Sequence, residues 1–579
     1  MRTVRVRSSG FLAFLLFMAA HSGLQLLDYL AVVGYLLITI GITYWSSRKQ
    51  ENTQDFFLGG RTMPWFAVGL SIMATMLSTI TYLGGPGEMI RYGIAHFAGY
   101  LAIPFAAVVV IYLWIPFFMR LRMTSAYEYL ENRFDYRVRL ISGILFLLLR
   151  LGWMSMVVYT ASLAMVQMTR GPLYAFVESM GFTEIPGTAL FLVIGVTGLV
   201  ATIYTCIGGM RALIWTDVLQ SVMLFGGVFV IIFYVGFSTG TGPSTWWERA
   251  SQASPEHTNP IFFSTDVTIR NTIVWTMLSV FFWNVCTHCS DQVVLQRYFT
   301  TNSHTAARNS FVTNLISMVA ILLLLSLSGL ALLYFYLEHP TLLPKEIDPM
   351  KDSDKVMPYF YAHQLPVGLG GLVLASFLCD AMQTLVSGVN SISAISTKDV
   401  LERLSPQVAR RLGELTLARI TTFGVGLVAT LLAATVANSA IKSTLNIIDL
   451  LPRTFNMFLG PLASLFIIGM FIPRARARTA IAAVSVAMIL SFTWSWWSEI
   501  PVWLNALGLD SLGSFWTNIL GVDARGMPKR PTVMLAVATP CVVGVVTGAL
   551  LSLFEGRSED NPGRGFTWRA TMRKAPLTA

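Results

Sequence analysis

Charge is scarce in this chain. Asp, Glu, Lys and Arg make up 12% of its 579 residues, against 54% hydrophobic ones, where a soluble protein carries about a quarter charged residues. Long hydrophilic stretches are also missing, which leaves no room for a soluble kinase or nucleotide-binding domain. There is no Walker loop and no glycine-rich dinucleotide loop after a strand, so ATP-driven work has no visible site. Cysteine is sparse. Cys206, Cys286, Cys289, Cys379 and Cys541 all lie in apolar segments, which argues against an extracellular disulfide framework. Cys286 and Cys289 form one CxxC around His288; without a second pair they read as small core residues. No nucleophile–base pair or metal set converges in the sequence, so an enzyme is the weakest reading, and no cofactor is expected.

What the chain has in abundance is apolar runs. Segments of about twenty such residues recur from end to end, and the mean hydropathy is +0.63, which defines a polytopic helical protein of the lipid bilayer. The runs place thirteen spans near 27–46, 64–85, 97–119, 139–168, 188–208, 213–236, 271–290, 310–336, 367–393, 420–438, 444–472, 479–499 and 532–554. Before them, residues 1–23 combine Arg2, Arg5 and Arg7 with the short apolar run Phe11 to Ala20. They read equally as a signal peptide or as an extension of the first helix. Basic residues crowd the loops after odd-numbered spans, including Arg48, Lys49, Arg120, Arg122, Arg133, Arg137, Arg308, Arg410, Arg411, Arg474 and Arg476, and the tail adds Arg557, Arg564, Arg569, Arg573 and Lys574. That bias puts the N-terminus outside and the 555–579 tail in the cytoplasm of an inner or plasma membrane. It also accounts for the net charge of +10 without nucleic acid.

The stretch from Val367 to Asp399 is long and apolar enough to span, yet Asp380, Gln383, Thr384, Ser387 and Ser391 share one helical face. Buried oxygens in such a row are costly unless satisfied, and a small hard cation takes such atoms in exchange for its water. In the second span Ser78, Thr79 and Thr81 precede Gly84-Gly85-Pro86-Gly87, which predicts irregular backbone there. Backbone freed at membrane depth can meet an ion or a substrate. Arg150 lies deep in the fourth span and needs an anion: a solute carboxylate, Asp217 or Asp380. Asp217 sits in the sixth span, either solvated at the interface or on an ion pathway. The seventh span turns polar from Asn284, with Thr287, His288 and Ser290. Asp449 and Arg453 in the eleventh suggest a structural i, i+4 ion pair.

Several segments together resemble the sodium/solute symporter family: DFFLGGR at 55–61, LGGPGEMIRYG at 83–93, GGMRALIWTDVLQ at 208–220, SDQVVLQRYFTTNSHTAARN at 290–309 and the stretch ending NSISAISTKD. They occur in the family's order over residues 27–478 and look most like the branch that carries monocarboxylates, iodide and vitamins. The resemblance implies an all-α, LeuT-like core of two inverted five-helix repeats, 64–236 and 271–472. One extra helix lies in 24–63 and two in 479–554. It also implies a secondary active symporter that couples sodium to uptake of a small organic solute. Carried over by position, sodium would meet backbone oxygens of Ala74 and Leu77 and side chains of Asp380, Gln383 and Thr384, with Asp217 at a second sodium. The family usually has a small residue, then Ser/Thr-Ser/Thr, at these three α-helical positions; Asp380 departs from that pattern and keeps proton coupling open. The solute is expected near Ser78, Thr81, Arg150, Thr287 and His288, with Arg150 favouring an anion. A sodium/sugar carrier and a non-transporting sensor of the same fold stand as alternatives. The sequence fixes no oligomeric state.

Overall fold

Runs of Leu, Ile, Val, Phe and Ala without water around them can satisfy their backbone only within a helix. The computed structural model follows that rule over residues 25–47, 58–121, 123, 125–181, 187–345, 347–396, 407, 414–442, 450–522, 528–556 and 561–573, which are the ones it describes. Among them, twelve helices are long and apolar enough to cross a membrane: α1 Leu26–Ser46, α2 Trp65–Tyr92, α3 Ala95–Leu121, α4 Tyr136–Met168, α6 Gly209–Thr239, α7 Ile273–Ser290, α8 His304–Glu338, α9 Leu369–Ile395, α10 Arg419–Ser439, α11 Pro452–Phe471, α12 Ala477–Ser495 and α13 Val533–Ser552. The shorter α5, Thr188–Ile203, completes the thirteen expected segments. The sequence reading put a short loop between the fifth and sixth spans. Instead α5 and α6 belong to one helical run, Thr188–Thr239, turned at Gly209 with φ 59° and ψ −175°, a conformation that glycine adopts without steric cost.

Two helices lie at the centre. The most apolar stretches of α2 and α9 are 83% and 82% buried by their neighbours, against 28% for α1 and α10. α2 is interrupted where Ser78 takes φ 47° and ψ 152°, but the interruption is not at the glycines. The segment Gly84-Gly85-Pro86-Gly87 stays helical. Gly87 serves close packing: a Cβ there would lie 2.7 Å from an Asp354 carboxylate oxygen. A second interruption follows α7. Asp291 (φ −85°, ψ 113°) separates α7 from the short helix Gln292–Phe299, and its carboxylate caps that helix by accepting the Val293 N–H at 2.9 Å. Irregular backbone is tolerated at such depth only inside protein, and Ser78 and Asp291 are both buried.

Polar ties hold the ends of the helices. The Asp28 carboxylate of α1 accepts the backbone N–H groups of Gly368 and Gly371 at 2.8 and 2.7 Å, at the start of α9. At the far end of α2, Glu88 receives both Arg270 terminal nitrogens at 2.9 and 3.0 Å. Arg270 also stacks 4.2 Å from the Tyr92 ring centre. On the opposite side of the bundle Arg133 donates to the carbonyls of Gly469 and Ile472, each at 2.8 Å, while Trp568 from the tail donates to Leu113 at 3.0 Å. Arg453 bonds Glu499 at 2.6 Å; Asp449, its expected partner, lies outside the described residues.

Candidate functional site

The interruption of α2 faces the polar stripe of α9. Thr79, the first residue after Ser78, donates its hydroxyl to one oxygen of Asp380, and Gln383 reaches Thr75 at 3.4 Å. Asp380 is only 1% exposed. Its other oxygen has no hydrogen-bond partner, nor do the Gln383 side-chain oxygen and the Thr384 hydroxyl. Three orphaned oxygens at i, i+3 and i+4 on one buried face are an uncompensated acceptor set. A dehydrated cation satisfies such a set, taking all three oxygens into one coordination shell. Ala74 and Leu77 lie in the turn that leads into Ser78, where the backbone leaves helical geometry.

Asp217 is engaged differently from the sequence expectation. It lies fully buried, accepts from Ser71 and is paired with Arg297, whose Nη2 lies 3.1 Å from it. The same guanidinium donates to Ser71 at 2.7 Å, Thr75 at 2.6 Å, Ser387 at 2.8 Å and the Val293 carbonyl at 3.0 Å. A tethered cation thus occupies the ring of oxygens beside Asp217, leaving only its second oxygen unpartnered. Ser387, placed on the cation face by its spacing, belongs to this ring.

Arg150 is paired with Asp291, a partner that the sequence did not suggest, and not with Asp217 or Asp380. The Nε–Oδ1 distance is 3.1 Å, a second contact joins Nη2 to Oδ2, and both side chains are 2% exposed. The plain reason is reach: the α7 interruption turns Asp291 inward beside α4. Asp291 and Arg297 stand in the SDQVVLQRYF segment; Asp291 has no role in the sequence reading, and Arg297, which counts there among the basic loop residues that set orientation, is fully buried. The pointer was available, since two opposite charges six residues apart amid Val, Leu and Tyr signal buried pairing.

A cavity opens beside the α2 interruption, with about 1080 Å³ of empty space including its mouth. Of the five residues expected near the solute, Ser78, Thr81 and His288 line it and Arg150 and Thr287 do not. π-helical turns at Val110–Trp114 and Pro452–Asn456 widen α3 and α11 where Val110, Phe455 and Asn456 reach the lining. Trp153, Trp283 and Phe455 form a continuous aromatic wall, with ring centres 6.0 Å apart for the two tryptophans and 4.7 Å for Trp153 and Phe455. No single residue of this wall stood out in the sequence, because a tryptophan in an apolar run reads as ordinary core. Cys286 touches Cys541 at 3.6 Å between sulfurs, and among the described residues no group of His, Cys, Asp and Glu could hold a metal ion.

Two interrupted helices, a cation-ready face and a cavity between them are the parts of a coupled carrier. The sodium:solute symporter family model matches residues 56–487. The chain belongs to that family. It is 30% identical over 468 residues to the sodium/sialic acid symporter SiaT of Proteus mirabilis, covering 80% of this chain and 88% of that one. It is 27% identical to the sodium-coupled monocarboxylate transporter 1 of Xenopus laevis, covering 93% and 87%. A solved Na+-coupled sialic acid symporter, substrate-bound and outward-open, superposes with a TM-score of 0.72 at 26% identity, covering 92% of this chain and 98% of that one. The protein is accordingly a multi-pass, LeuT-like secondary transporter and no enzyme. Sodium is its coupling ion, and its cargo is a small organic solute.

Proposed function

We propose that sodium binds between the α2 interruption and α9, on Asp380, Gln383 and Thr384 with the Ala74 and Leu77 carbonyls, and that the solute occupies the adjoining cavity. The observation that carries this reading is the trio of orphaned, buried oxygens on α9. An anionic site without its ion is expensive in a membrane protein, so the ion is part of the resting energetics of the site. Ser78 serves both halves: its turn ends the carbonyl row offered to the ion, and its own side lines the cavity. An ion that fixes this turn therefore fixes one wall of the solute site, which is how one ligand raises the affinity for the other. Transport follows when the occupied carrier exchanges the side to which the cavity opens, with 64–236 and 271–472 as its two repeats. The N-terminus lies outside and the tail inside, on the charge bias of the loops.

The test is a sodium titration of purified protein in nanodiscs, followed by thermal unfolding, with potassium as the control. Sodium raises the unfolding temperature of the native chain. Asp380→Ala and Thr384→Ala each move the sodium midpoint upward by about ten- to a hundredfold, the worth of a charged or hydroxyl contact of about 1.5–3 kcal/mol. Unchanged midpoints in both variants would remove the assignment.

A further inference from the structure

The cavity is unusual in what lines it. Of its 24 lining residues, 15 are apolar or aromatic and nine are Ser, Thr, Tyr, His or Asn; none is Asp, Glu, Lys or Arg. Arg150, the nearest strong cation by sequence, lies against the Trp153 ring with its carbon 4.8 Å from the ring centre, and its charge is taken by Asp291. The solute therefore meets an aromatic wall and uncharged polar groups. The polar groups are not at rest. Four residues bordering the cavity have buried polar atoms without hydrogen-bond partners: Trp153 Nε1, Asn314 Oδ1, Asn456 Oδ1 and His96 Nδ1. The last stands 3.9 Å from the Glu88 carboxylate and faces that charge instead. Buried polar atoms are nearly always paired in a finished structure, so one donor and two acceptors around one cavity mark what a ligand supplies.

From this we infer that the transported solute carries a ring whose apolar face packs on Trp153, Trp283 and Phe455, and that Trp153 is its specificity-determining residue. A ring suits the wall because flat apolar faces bury the most area on an indole and pair with it in offset or edge geometry. Hydrogen-bonding groups at the edge of that ring suit the orphaned amides of Asn314 and Asn456, and an acceptor suits the indole N–H. A short open-chain acid has neither the face to cover three aromatic rings nor the reach to serve all three orphans. The shared chemistry, a ring with an apolar face and a polar rim, is found in aromatic acids and in pyranose acids alike. This inference rests on the solute occupying the cavity described above.

The experiment measures binding to the full-length protein in nanodiscs, by calorimetry at saturating sodium. Nicotinate and the neutral nicotinamide are the aromatic probes, N-acetylneuraminate and the neutral glucose the pyranose probes, and lactate and pyruvate the open-chain ones. At least one ring compound binds ten times or more tightly than either open-chain acid, and the arm that binds identifies the source of the ring. Trp153→Ala weakens that compound by about ten- to a hundredfold, stacking and donor being lost together, while Trp153→Phe recovers the stacking part only. The sodium midpoint of both variants stays at the native value, which a merely unfolded or loosened protein could not show. The idea is overturned if open-chain acids bind as well as any ring compound, if no ring compound binds, or if Trp153→Ala weakens ring and open-chain probes by one common factor. A native protein indifferent to sodium in every arm would strike the symporter site itself, not the ring.

Discussion

Removing the Arg150 guanidinium while leaving Asp291 in place strands a carboxylate that cannot swing to water. Its side chain is 2% exposed, and the Val293 N–H, 2.9 Å away, holds it at the start of its helix. Breaking one side of such a buried pair costs about 3–5 kcal/mol, because the surviving charge keeps its desolvation penalty without its partner. That is a large share of the roughly 5–15 kcal/mol by which domains are stable. Arg150→Leu should therefore lower the unfolding temperature and the yield of monodisperse protein sharply. Adding Asp291→Asn removes the stranded charge yet keeps an oxygen to cap Val293, and should recover all but about 1 kcal/mol, one net hydrogen bond. The pair of variants is compared in nanodiscs by intrinsic fluorescence on heating, with sodium midpoints measured alongside. An Arg150→Leu protein as stable as the native one, or a double variant as poor as the single, would refute the reasoning. Loss of solute binding at full stability would return Arg150 to the solute.

Three further outcomes are expected. Gly371→Ala should destabilise the junction of α1 and α9 by more than a surface substitution, since its Cβ would meet the Asp28 backbone at 2.1–2.5 Å; a native-like unfolding temperature would contradict the packing. Ser78→Gly should be neutral or stabilising and Ser78→Val should cost a further 1–3 kcal/mol or so, because φ 47° strains any side chain and a branched one most; the ranking is read from unfolding midpoints. For topology, Thr265→Cys should react with an impermeant thiol reagent added outside intact cells and Gly565→Cys should not, the reverse pattern reversing the assigned orientation.

How far the sequence speaks depends on what a signal needs. Helix existence is written in composition: the thirteen segments lie close to where the apolar runs put them, because hydrocarbon demands one backbone solution. The acceptor face of Asp380, Gln383 and Thr384 is likewise legible, since helical spacing alone aligns it. What escapes is anything decided between distant segments. Glycines at 84–87 look like a break yet stay helical, Gly87 packing against Asp354, while the break falls on Ser78, whose strain no composition reveals. Arg150 can be known to need an anion, but Asp291 is 141 positions away. The pairing of Asp217 with Arg297 is hidden for the same reason, and so is the aromatic wall, assembled from α4, α7 and α11.

The grip of Asp28 has a mechanical side. Through two backbone N–H groups it pins the first turn of the helix that carries Asp380, Gln383 and Thr384, and it does so from a helix that precedes both repeats. The distant half of α9 is held through side chains instead, Ser391 donating to Gln296 and Ser387 accepting from Arg297, each at 2.8 Å. The first helix works as a bracket: losing the Asp28 carboxylate would free two backbone N–H groups at once and loosen the end of the helix that carries the acceptor face.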